Sequence, residues 1–161
     1  MQFVDAVEQY TEYLLKLSYL YVKDRPLAED IVQEVFIKLY EKYGDEVPLQ
    51  QPKSYLVQMT VNRCRDYFRS WHYRKIQVSE LFQLEQTSEP LKELGLMDEV
   101  WKLPLKYREV VILYYYDDQS TTEIAQLLNL PVSTVKTRLQ RGRHALKGLI
   151  EEGGMSYEQQ V

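Results

Sequence analysis

The chain has 161 residues, of which 45% are apolar and 27% charged, with only six glycines and six prolines; this is material for one ordinary domain or two small ones with few loops, and it argues against disorder. A net charge of -4 and a pI of about 5.3 are unusual for a protein that would hold DNA unaided, because such binding relies on releasing counterions to clustered Lys and Arg. The lone Cys64 excludes an intramolecular disulfide, the start MQFVDAVEQY lacks the features of a signal peptide, and the apolar run VVILYYY from Val110 to Tyr116 falls far short of the ~20 residues that span a bilayer, so a soluble protein of the reducing cytoplasm is expected.

Phe3, Val7, Tyr10, Leu14, Leu17 and Tyr21 alternate spacings of four and three, which predicts a helix with one buried stripe. Asp24 suits an N-cap and Pro26 a first turn, after which Leu27, Ile31, Val35, Leu39 and Tyr43 carry a second stripe until Gly44 ends it. Beyond the polar stretch Asp45 to Gln51, Pro52 opens a third long helix through Tyr55, Leu56, Met59 and Tyr67 toward Trp71 and beyond. These three helices form a small N-terminal bundle. From about Gln77 to Glu99 the sequence mixes Ser, Thr, Pro and Gly with acidic residues and the single Lys92, without a sustained period, and reads as a linker. If extended, ~20 linker residues reach roughly 65 Å, about two turns of B-DNA at ~34 Å each, so two heads could contact separated sites.

A second helical unit follows. Val100, Leu103 and Leu105, then Val110, Val111, Leu113 and Tyr114, build one or two supporting helices. Ser120 and Glu123 have the spacing of a capping box ahead of Ile124, Ala125, Leu127 and Leu128; Asn129 can take a left-handed turn, Leu130 can fold back as a plug, and Pro131 suits the next first turn. In the following helix Val135, Leu139, Ala145, Leu146, Leu149 and Ile150 form the inner face, leaving Ser133, Thr134, Lys136, Thr137, Gln140, Arg141 and Arg143 outside. This helix-turn-helix carries five basic residues and no acidic one from Ile124 to Ile150. Guanidinium and amide groups can pair with purine edges, and hydroxyls and ammonium groups with phosphates. Lys136, Thr137, Gln140 and Arg141 are therefore candidates for base readout, with Ser133, Thr134, Arg138 and Arg143 on phosphates or in packing. A solvated basic helix in an ordinary bundle is the bland alternative, but it leaves the coincidence of cap, turn and plug unexplained.

A second basic stretch, Arg63 to Lys75, holds five basic residues against Asp66 alone. Within it YFRSWHYRK, Tyr67 to Lys75, interleaves aromatic and basic side chains, a combination that can stack unpaired bases while gripping the backbone; Tyr67 and Phe68 are assigned to the core. Two basic faces in an acidic background imply modest DNA affinity and a protein partner that supplies the rest. No metal site or other cofactor is expected, since His72 and His144 fall in different domains and Cys64 has no cysteine neighbour. Without a phosphate loop or a recognisable nucleophile motif, an enzyme is not expected either. The fold class is all-α: two small helical domains joined by a flexible linker, bounded at 1–76, 77–96 and 97–150, with a frayed tail at 151–161.

Three segments, in this order, give the chain a family resemblance. AEDIVQEVFIKLYEKY (Ala28 to Tyr43), PKSYLVQMTVNRCRDYFR (Pro52 to Arg69) and REVVILYYYDDQSTTEIAQLLNLPVSTVKTRLQRGRHALK (Arg108 to Lys147) resemble, respectively, the polymerase-binding helix, the following promoter-contacting helix and the upstream-element-reading domain of the small extracytoplasmic-function sigma factors. Asn62, Asp66 and Arg69 match the family pattern, whereas Tyr55, Met59 and Thr60 replace its usual Trp, Ile and Ala.

The resemblance implies that the chain binds RNA polymerase core at the beta-prime clamp, directs it to promoters and helps open the DNA. On that basis Asp30, Gln33, Glu34 and Lys38 are assigned to core binding; the first three also lie off the buried stripe, where a basic clamp surface could meet them. Arg63, Arg69, Trp71, His72, Tyr73, Arg74 and Lys75 are assigned to the downstream promoter element, and Asn62 and Asp66 to DNA contact or to a structural role. The acidic linker threads polymerase channels or serves as a passive tether. A cognate anti-sigma protein, commonly in the membrane, is a further candidate partner. The competing reading is an autonomous helix-turn-helix repressor or activator, which would need a symmetric dimer interface that no second amphipathic stripe clearly offers.

Overall fold

A computed structural model describes residues 1–82 and 97–152, with side chains described for 1–70 and 97–152. Two compact units divide the chain, Met1–Glu93 and Leu94–Val161. Every regular element among the described residues is helical, apart from one isolated antiparallel bridge between Gln2 and Glu46. None of the described helices is long and apolar enough to cross a membrane.

The first unit contains α1 (Phe3–Val22), α2 (Arg25–Tyr43) and α3 (Pro52–Phe82). The expected stripe of α1 grades from half-buried at Phe3, Val7 and Tyr10 to buried at Leu14, Leu17 and Tyr21. Lys23, in the left-handed conformation, ends this helix, and Asp24 caps the next by accepting from the Leu27 amide at 3.0 Å. On α2 a second row, Ala28, Val32 and Phe36, is buried beside Ile31, Val35 and Leu39, because the helix packs against both α1 and α3 and so needs an apolar arc wider than one stripe. Each large aliphatic side chain enclosed here stabilises the bundle by about 1.5–3 kcal/mol.

Gly44, at φ 68°, turns the chain out of α2. The stretch after it is not free: Phe3 N donates to Asp45 O and Val47 N to Met1 O, both at 2.8 Å, and Val47 is buried. On α3, Leu56, Val57, Thr60, Val61 and Cys64 are buried, with the Thr60 hydroxyl returning to Leu56 O at 2.7 Å; this bond makes a polar side chain acceptable where the family pattern has alanine. Lys53 Nζ sits 4.1 Å from the Tyr13 ring centre, and Lys42 donates to the Tyr55 hydroxyl at 3.2 Å, tying α3 to both other helices. Helical backbone continues through Phe82, past residue 76, where composition alone would end the domain. The remainder of the expected linker, 83–96, and the tail from 153 lie outside the described residues.

The second unit contains α4 (Met97–Lys102), α5 (Leu105–Val111), a π-helical turn (Ile112–Tyr116), α6 (Thr121–Leu128) and α7 (Val132–Glu152). Met97, Val100, Trp101, Leu103, Val110, Val111, Ile112, Leu113, Ile124, Ala125, Leu128, Val135 and Leu139 form its core. Arg108 Nη1 donates to Trp101 O at 3.2 Å and links α5 to α4.

Candidate polymerase-binding and nucleic-acid interfaces

On α2, burial of Ile31 and Val35 turns Asp30, Gln33 and Lys38 to solvent, as helical spacing requires. Glu34 is half-buried, and its carboxylate is engaged by Arg63 of α3: Nε bonds Oε2, and Nη2 reaches Oε1 at 3.4 Å. Asp30 and Glu34, four residues apart on α2, are thus not left as uncompensated like charges. The Arg63 hydrogen bond holds the Glu34 carboxyl below its ordinary value against the opposing effect of burial, and the charges of Arg63 and Lys38 add to the lowering. The same bond raises Arg63. One residue expected at the polymerase and one expected at DNA therefore hold each other. Around them Glu34, Val35, Lys38, Met59, Asn62, Arg63 and Asp66 line a shallow groove of about 200 Å³.

The same helix carries two exposed apolar residues that the stripe argument passed over, Ile37 at 55% and Tyr40 at 47% exposure. The Phe3 ring centre lies 5.0 Å from that of Tyr40, and Val4 is exposed nearby in sequence on α1. The available signal was Ile37 itself, an apolar residue off the buried rows of a helix whose outer face is otherwise polar.

Along α3, Asn62, Asp66 and Arg69 are exposed and Arg65 half-buried. Asp66 pairs with Arg69 at 3.6 Å with both side chains well into solvent, a contact worth little once screened. Tyr67 and Phe68 are half-buried and edge-on at 5.6 Å; burial, assisted by the charge of Asp24, pushes the Tyr67 phenol up. The side chains of Trp71, His72, Tyr73, Arg74 and Lys75 lie outside the described residues, on backbone that is helical. Among the described residues no group of three or more His, Cys, Asp and Glu is placed to hold a metal ion.

The helix-turn-helix is built by local chemistry. Ser120 accepts from the Glu123 amide at 3.1 Å and starts α6. Asn129, at φ 55° and ψ 50°, makes the left-handed corner, and Leu130 N returns to Ala125 O at 3.0 Å, a closing pattern that satisfies carbonyls at the helix end. Leu130 is half-buried rather than enclosed, and α7 begins at Val132, one residue after Pro131. With Val135 and Leu139 buried, Ser133, Lys136, Thr137, Gln140, Arg141 and Arg143 are exposed, and Thr134 and Arg138 half-buried. The Thr137 hydroxyl donates to Ser133 O at 2.9 Å, which occupies its proton and leaves its lone pairs and methyl group outward.

Arg143 on this face has partners within the unit. Arg143 Nε donates to the Tyr115 hydroxyl at 2.5 Å, and its guanidinium lies 5.1 Å and 5.5 Å from the ring centres of Tyr114 and Tyr115. The Tyr107 phenol is held below its ordinary value chiefly by the Arg141 guanidinium, and the charges of Lys106 and Arg141 add to the lowering. Of the two roles open to Arg143, packing is the one this geometry displays.

Residues 6–73 match the family model for sigma-70 region 2 and residues 96–146 that for sigma-70 region 4. The chain is 32% identical to the extracytoplasmic-function RNA polymerase sigma factor SigW of Bacillus subtilis (strain 168), covering 90% of this chain and 87% of SigW. It is 30% identical to SigM of the same organism, covering 93% and 96%. Its fold is similar to that of the sigma factor RpoE of Bartonella quintana, solved with the anti-sigma factor NepR, with a TM-score of 0.63 at 19% identity over 91% of this chain and 97% of that one. The chain belongs to the extracytoplasmic-function RNA polymerase sigma factors, initiation factors rather than enzymes, which direct the polymerase to promoters.

Proposed function

We propose that α2 docks on the beta-prime clamp of core polymerase through Asp30, Gln33 and Lys38, with Ile37 and Tyr40 providing apolar contact and Glu34 held in place by Arg63. Charged groups on such a surface set encounter and register, while desolvated apolar side chains supply most of the affinity. On the same reading, Asn62 and Arg69 with the segment Trp71 to Lys75 capture melted downstream promoter DNA, and Lys136, Gln140 and Arg141 read the upstream element in the major groove. Work with the polymerase places the protein in the cytoplasm. An anti-sigma partner, the kind of protein bound to the Bartonella relative, would act by covering these faces.

The observation that carries this reading is the exposed face of α7, where Lys136, Gln140 and Arg141 all lie in solvent within a stretch, Ile124 to Ile150, that holds no acidic residue, on a helix fixed by cap, corner and core. The test is run-off transcription from a genomic promoter library with purified core polymerase, with and without the protein, beside an Asp30→Ala, Gln33→Ala, Glu34→Ala variant. Start sites that depend on the protein and vanish in the variant are expected. DNA binding without any new transcript would instead favour an autonomous regulator.

A further inference from the structure

The DNA-facing helix is joined to the elements beneath it at Gly142. This residue is buried, and a Cβ there would lie 2.9 Å from Val111 Cγ2 and 3.5 Å from Tyr107 Cβ, so α7 and α5 approach at a distance that suits only glycine. Next to it in sequence, Arg143 takes the Tyr115 hydroxyl of the π-helical turn while lying against the Tyr114 and Tyr115 rings.

Successive residues of a helix are rotated by about 100°, so Arg141 and Arg143 leave α7 on opposite sides of the contact line through Gly142. Rolling α7 about that line strains the contacts of Arg143 with Tyr114 and Tyr115. The π-helical turn contributes by adding a residue to its turn, which brings the adjacent Tyr114 and Tyr115 both within reach of Arg143. For a helix that reads base edges, roll is the sensitive coordinate: at a radius of ~5 to 6 Å, a roll of ~20° moves a side-chain base by about 2 Å, enough to lose a hydrogen bond.

We propose that Tyr115 is a positioning residue for promoter readout, bracing Arg143 beside Gly142 and fixing the roll of α7. Arg143 is spent on the brace; Arg141, exposed on the other side of the contact line, is left for DNA. The proposal rests on the reading of α7 as the groove-binding helix.

The test assembles the full chain on core polymerase, selects a duplex from a random-sequence pool, and measures affinity for that duplex across a salt series. Tyr115→Phe, which removes one hydroxyl, is expected to weaken binding about threefold to tenfold without changing the salt slope. Arg143→Ala should do the same, the double variant should be no worse than the weaker single one, and Tyr55→Phe in the other unit should have no effect. Arg141→Ala should flatten the slope by about one counterion. Tyr115→Phe binding within about twofold of wild type, additive singles, or an Arg143→Ala slope flattened like that of Arg141→Ala would each overturn the brace alone. A selected pool identical to that taken by core polymerase without the chain would overturn the reading of α7, and the brace with it.

Discussion

Glu34 and Arg63 are the side chains whose environment departs most from what their neighbours in sequence suggest. Each was assigned outward, one to a protein and one to DNA, yet they meet across α2 and α3 with side chains 44% and 34% exposed. Because Glu34 is depressed below 4.5, the stability it contributes is present above its unfolded value and is lost as pH falls through the folded one. At this exposure, solvent screening limits the pair to about 0.5–1 kcal/mol. Arg63→Ala should therefore lower the urea midpoint modestly at neutral pH, with the gap to wild type closing below about pH 4.5. A gap unchanged in acid would show that Arg63 acts through its aliphatic stem rather than its charge. A positive charge already neutralised within the protein is also a poor candidate for DNA, which leaves Asn62 and Arg69 as the freer polar groups on that stretch.

At the scale of elements, the parts with their own local chemistry were legible: Asp24 at the start of α2, Ser120 at the start of α6, Gly44 after α2 and Asn129 at the corner of the helix-turn-helix all take the places their side chains favour. Asn129 is the sharpest of these, since its φ of 55° is a conformation that glycine adopts freely and a β-branched residue does not. Asn129→Gly should leave the melting temperature nearly unchanged, whereas Asn129→Val should cost about 1–2 kcal/mol in the second unit. Equal melts for the two would mean the corner relaxes without cost. The π-helical turn was not legible. VVILYYY is apolar throughout, so it contains no polar face from which a change in residues per turn could be read, and which tyrosines would meet Arg143 depends on that change. Gly142 was hidden for a similar reason: a close crossing of α5 and α7 belongs to two segments about thirty residues apart, and helical periodicity reports only one at a time. The second buried row of α2 depends in the same way on a third helix.

For the whole molecule, an acidic balance with basic residues confined to two stretches foretold a protein that leans on a partner, and the family assignment to polymerase-dependent initiation factors agrees with it. The division into two units was legible as a change from periodic to aperiodic sequence, although α3 carries helical backbone beyond the composition boundary because a helix, once begun, extends without needing a buried stripe of its own. The two units also differ in a way that equips the chain with a native clock. Cys64 is the only cysteine and has no exposed surface, so an alkylating reagent meets its thiol only while the first bundle is open, and the labelling rate reports that opening equilibrium directly. Arg63→Ala should quicken labelling, whereas Asn129→Val should leave it unchanged even as it loosens the second unit. Equal acceleration by both would mean that the two units open as one. Since the second unit has no thiol, a single chemical signal can follow the first unit in solution and, by its slowing, register the moment a partner settles on it.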